Sequence, residues 1–129
     1  MRIEINYTET KENKIEYTRG VKTLYTTGEV TNGLVMGYSA SGRYTQLNGD
    51  NIWTEDMGGN AWEESSSLWC ELKKLNSTET SISSNGEKLY LESNYEIQNY
   101  LVVPLIVGGQ VVYTRTKIGS PEVTSTSTF

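Results

Sequence analysis

Five dipeptides, Asn32-Gly33, Ser41-Gly42, Asn48-Gly49, Asn85-Gly86 and Gly108-Gly109, punctuate the chain between runs rich in Thr, Tyr, Val and Ile. Such pairs tolerate the positive φ angles of two-residue hairpin turns, and the runs between them have the lengths and residue types of strands. Ala, the best helix former, occurs only at positions 40 and 61, while Ser and Thr make up more than a fifth of the 129 residues. The expected class is therefore mainly β, an antiparallel sandwich or barrel-like domain built from hairpins.

The turns fix registers. A loop at Gly108-Gly109 pairs Val107 with Gln110, Ile106 with Val111 and Leu105 with Val112, and sets Pro104 opposite Tyr113 at an edge or bulge. A loop at Asn85-Gly86 pairs Ile82 with Leu89 and Thr80 with Leu91. A loop at Asn48-Gly49 pairs Tyr44 with Trp53 and Thr45 with Ile52, and one at Ser41-Gly42 pairs Met36 with Leu47, placing Tyr44 and Met36 on opposite faces. One helix is expected around residues 61–75. Asn60 and Glu63 could form a capping box, and Leu68, Leu72 and Leu75 recur at i, i+4, i+7. A strand with Leu68, Cys70 and Leu72 inward is the weaker alternative, because Trp69 breaks its alternation. Residues 1–117 read as one β-rich domain and residues 118–129 as a polar, flexible tail.

The stretch from Asn99 to Lys117 is unusual for a chain of net charge −5 with 36% hydrophobic residues. Both strands of this hairpin carry apolar side chains on both faces, and a two-faced apolar sheet needs a second layer on each side. Val103, Ile106, Val111 and Tyr113 are the candidate subunit contacts. The run from Leu101 to Val112 is too short to span a bilayer, for which a helix needs about 20 residues, and no membrane insertion is expected.

The chemistry is narrow. The chain has no His, which removes the usual general base and metal ligand, and its single Cys70 permits no internal disulfide. Asp50, Glu55, Asp56, Glu63 and Glu64 are the carboxylates that could serve acid catalysis, but their positions fit solubility and helix capping as well; the stretch from Asn48 to Asp56 offers oxygen ligands for calcium without the spacing of an EF-hand loop. The expectation is no enzyme, no cofactor and no metal. The acidic balance and lack of a basic cluster argue against nucleic acid. Nine Tyr and three Trp against one Phe suggest a recognition surface, with Tyr44, Trp53 and Trp62 as its candidates.

These features point to a structural or binding protein acting through homo-oligomeric β-sheet assembly, a dimer or trimer. No motif identifies a family, and by analogy of build alone the expectation is a phage virion accessory module, a capsid decoration or fibre element that contacts a capsid, a cell-surface protein or a glycan. The alternatives are a small inhibitor that sequesters a ligand or blocks a host protein, and a carbohydrate-binding module. With no apolar signal segment near the N-terminus, the expected location is the virion or the host cytoplasm.

Overall fold

A computed structural model describes residues 4–13, 18–47 and 50–129. They form eight strands: β1 (Glu4–Asn13), β2 (Thr18–Thr31), β3 (Leu34–Leu47), β4 (Asp50–Ser65), β5 (Cys70–Ile82), β6 (Leu89–Val107), β7 (Gln110–Gly119) and β8 (Glu122–Thr128). The strands make two antiparallel sheets. One is the meander β1-β2-β3-β4; in the other, β5 lies on one edge of β6 while β7 and β8 follow one another along the opposite edge.

Alternation along β3 sends Leu34, Met36, Tyr38 and Ala40 inward, and β6 answers with Leu89, Leu91, Tyr95 and Ile97. With Ala61 of β4 and Cys70 of β5 they form one core shared by both sheets. The Tyr38 and Tyr95 hydroxyls meet at 2.9 Å inside it, so two polar groups that would be costly to bury alone satisfy each other. Burial, together with Tyr38, raises the Tyr95 phenol above its ordinary pKa.

Four of the expected turns can be compared with the structure. Asn32 and Gly33, both at positive φ, connect β2 to β3, and Gly108 and Gly109 connect β6 to β7, with every pairing expected for that hairpin present. The Ile82–Leu89 and Thr80–Leu91 pairs are also found, although residues 83–88 join these strands as a longer loop, with Gly86 but not Asn85 at positive φ, in place of the expected two-residue turn. The Asn48-Gly49 loop lies outside the described residues, but Tyr44 pairs with Trp53 and Thr45 with Ile52 on either side of it.

The Ser41-Gly42 turn is absent. β3 runs straight through, held by β2 at Thr23↔Ser41 and Lys22↔Gly42. Gly42 serves close approach instead, since a Cβ there would lie 2.7 Å from the Trp53 ring. Tyr44 therefore shares the inward face of Met36 and Tyr38 rather than opposing it.

The helix expected at 61–75 is not formed. Residues 61–65 finish β4, 66–69 form a connection, and 70–75 begin β5. Register shifts explain part of the misleading spacing: β5 carries an extra residue between Leu72 and Lys74, which sets the step from Leu72 to Leu75, and another between Leu75 and Ser77, whereas Leu68 is exposed in the connection before the strand. Each bulge stretches the inward repeat from two residues to three, so Cys70, Leu72, Leu75 and Thr78 face inward at intervals that imitate a helix. The segment expected as a flexible tail is also built in. Its first residues complete β7, and β8 pairs with β6 from Glu96↔Glu122 to Tyr90↔Thr128, turning Val123, Ser125 and Ser127 inward.

The sheets are offset. Near the Gly86 turn, sheet one runs on past Leu89, where β6 begins, carrying Gly42, Tyr44 and Trp53. At the other end β6 and β7 continue past Cys70, where β5 begins, as a two-stranded arm.

Candidate interaction surface

The arm comprises residues 101–118. Its last tie to β5's side is the Tyr100 amide, which donates to Trp69 O at 2.9 Å. Amides alternate in direction along a strand, so those of Val102 and Ile106 also point to this side, where no strand pairs with them among the described residues. Pro104 occupies the same phase. Its missing N–H costs the β7 ladder nothing and interrupts the open edge, which guards against addition of a further strand.

The base is held by a compact polar cluster on the outer face of sheet two. The Tyr100 hydroxyl donates to Glu71 Oε1, Arg115 Nη2 lies 3.6 Å from Glu71 Oε2, and the guanidinium sits 3.7 Å above the Tyr100 ring. Arg115 Nε also donates to Leu68 O at 3.0 Å. The hydrogen bond to Glu71 raises the Tyr100 phenol, with Arg115 opposing. Beyond this cluster there is no charged side chain from Leu101 to Thr114.

Of the fourteen exposed large apolar residues among those described, nine belong to the arm, among them Val103 at 38%, Ile106 at 80%, Val111 at 59% and Tyr113 at 58% exposure. The four expected contacts thus lie on one element, but on two faces of it. Ile106, Val111 and Tyr113 share the outer face with Pro104, whereas Val103 belongs with Leu101, Leu105, Val107 and Val112 to the side that continues the core-facing surface of β6. Leu68 and Trp69, exposed beside the base, were not singled out as contacts from the sequence; the one sign of them was Trp69 falling out of phase with β5.

The aromatic candidates do not form one surface. Tyr44 is buried on the inward face and meets Trp53 edge-to-face at 6.2 Å. Its hydroxyl donates to Glu9 Oε1 at 2.6 Å, and Lys22 pairs with the same carboxylate at 3.2 Å. Burial, then the Glu9 charge, pushes the Tyr44 phenol to about 12. The Tyr44 bond lowers the Glu9 carboxyl; desolvation opposes this and Lys22 reinforces it. Trp62 lies on the opposite face of the sheet, over Gly37, with Nε1 donating to Glu64 at 2.8 Å.

The carboxylates are likewise dispersed. Glu55 pairs with Arg43, Asp56 accepts from Thr80, and Glu63 accepts the Leu72 amide. Among the described residues no three of His, Cys, Asp and Glu gather as a metal set. Burial and the nearby Glu63 and Glu71 charges raise the Cys70 thiol, which keeps it protonated and unreactive.

A groove of about 430 Å³ separates β2 from β8, lined by Val30 and Val123 with Tyr38 and Tyr95 among its walls. Compared with protein-family models, curated proteins and solved structures, the chain matches none.

Proposed function

We propose that the protein is a non-enzymatic structural or binding protein that works by associating with copies of itself, and that its two sheets form a β-sandwich whose arm makes the subunit contact. The observation that carries this reading is the arm, whose nine exposed apolar side chains lie on both faces of one hairpin. Soluble monomers rarely leave more than a few hundred Å² of apolar surface in one patch. Lipid is a poorer cover than protein, because the arm's open edge would carry unpaired backbone groups into the bilayer.

Light scattering on the full chain during size-exclusion chromatography tests the proposal. A dimer or trimer is the expected result, and a monomer at micromolar concentration with the arm exposed would overturn it. A virion accessory role is the narrower form of the reading, and co-sedimentation with particles is its test.

The groove between β2 and β8 favours a second reading, a protein that sequesters a small ligand. Val30, Val123 and two phenols give it apolar surface among walls that are otherwise mostly Ser and Thr, and its volume is within the range of small-molecule sites. Native mass spectrometry of the purified chain would reveal a retained ligand.

A further inference from the structure

We infer that the arm's cover is the arm of a second copy, stacked two-fold through the core-side face of Leu101, Val103, Leu105, Val107 and Val112. The inference rests on the self-association reading and specifies its geometry.

Three observations select this arrangement. The first is continuity. The chosen face prolongs the surface that Leu89, Leu91, Tyr95 and Ile97 present to sheet one, and its cover stops only because sheet one ends at the Asn32-Gly33 turn, whose Asn32 O accepts from Ser67 Oγ. A partner's arm lying there occupies the layer that sheet one vacates, at the spacing of about 10 Å that stacked sheets adopt. By two-fold symmetry each layer then reads as sheet one of one copy followed by the arm of the other.

The second is charge. Residues pointing to this side, from Leu101 and Thr116 at the base to Val107 and Gln110 at the tip, include no ionisable group, so a chain of net charge −5 meets its copy without like-charge contact. The outer face carries Arg115 and Lys117 at its base, whose desolvation would oppose stacking there. The third is the edge. Pro104 interrupts the open side of β6, which disfavours strand addition there and so favours packing through a face.

Five side chains exposed at 38–61% leave on the order of 400 Å² per copy, so covering this face in both copies removes about 800 Å², short of the roughly 1,000 Å² that marks specific interfaces, and the tip and the ends of the two first sheets have to contribute the remainder.

The test uses adjacent positions on one strand in the full chain: Leu105→Asp on the core side and Ile106→Asp on the outer side, with mass from light scattering and near-ultraviolet circular dichroism to show that each variant is folded. The expected result is a dimeric parent, a Leu105→Asp variant of half its mass, and an Ile106→Asp variant that stays dimeric. As a check independent of the Asp variants' folding, Val103→Cys is expected to form an oxidised inter-subunit disulfide and Tyr113→Cys is not. A dimeric Leu105→Asp protein, dissociation by Ile106→Asp, disulfide formation through Tyr113→Cys alone or a trimeric parent would overturn the stacking while leaving self-association standing. A monomeric parent would overturn both.

Discussion

Glu9 is shared by the hydroxyl of Tyr44 and the ammonium of Lys22, while the same ammonium lies 4.7 Å from the Tyr7 ring and 5.4 Å from that of Tyr44. Removing the hydroxyl with Tyr44→Phe is expected to cost about 1–2 kcal/mol at neutral pH by urea denaturation, the lower part of the range of roughly 1.5–3 kcal/mol for a hydrogen bond to a charged acceptor, because solvent reaches Glu9. The pH dependence has two limbs. Because the Glu9 carboxyl is lowered on folding, its contribution is complete above the ordinary carboxylate range and is lost as pH falls through the depressed value. Because the Tyr44 phenol is raised to about 12, its contribution is complete below pH ~10 and is lost as pH rises towards that value. The Tyr44→Phe variant should show a shallower loss on both limbs. Gly42→Ala would drive a Cβ into the Trp53 ring; a loss of about 1–3 kcal/mol and a change in tryptophan fluorescence are expected. The Tyr44–Trp53 pair was legible in the sequence because the Asn-Gly dipeptide beyond it sets the count. The companionship of Tyr44 with Met36 was not, since a glycine required for space has the same letter as one required for a turn.

Among the elements, the β6–β7 hairpin was the most legible: its Gly-Gly turn and the regular pairing from Val107↔Gln110 to Tyr100↔Lys117 leave no freedom in register, and the one shift comes beyond them, at Asn99. β5 was the least legible. Two bulges reshaped its inward spacing, and no local signal tells a stretched strand period from a helical one when Leu recurs at both. β8 was missed because it is nearly all Ser and Thr; its place is set by the neighbouring β6 edge and by inward contacts such as Ser125 with Ser93 at 3.0 Å, not by apolar alternation. The arm's attachment makes a prediction at this scale. Replacing Arg115 by Ala removes a stacked and ion-paired guanidinium that is partly exposed, so global stability should fall by less than about 1 kcal/mol. The Tyr100 amide, bonded to Trp69 O at the junction, should nevertheless exchange its hydrogen measurably faster.

At the scale of the whole molecule, the excess of two-faced apolar sequence and the exposed surface are the same residues. Composition alone indicated that one hairpin was greasier than a modest core could use. It could not show that the two sheets are staggered, because stagger depends on where β5 and β6 begin relative to their neighbours, which the bulges and loops decide. The groove between β2 and β8 is equally invisible in the sequence, being a distance between strands nearly a hundred residues apart.

The 19 residues of β6 run unbroken from the core into the arm, and within the body they are flanked by β5 on one edge and β8 on the other. A pull on the tip, directed along the strand, is therefore resisted by two hydrogen-bond ladders sliding together rather than by one opening bond by bond. Such a joint would bear tension well, and in the proposed assembly a subunit tugged by its neighbour should rupture at the contact between copies before β6 slips from its own sheet.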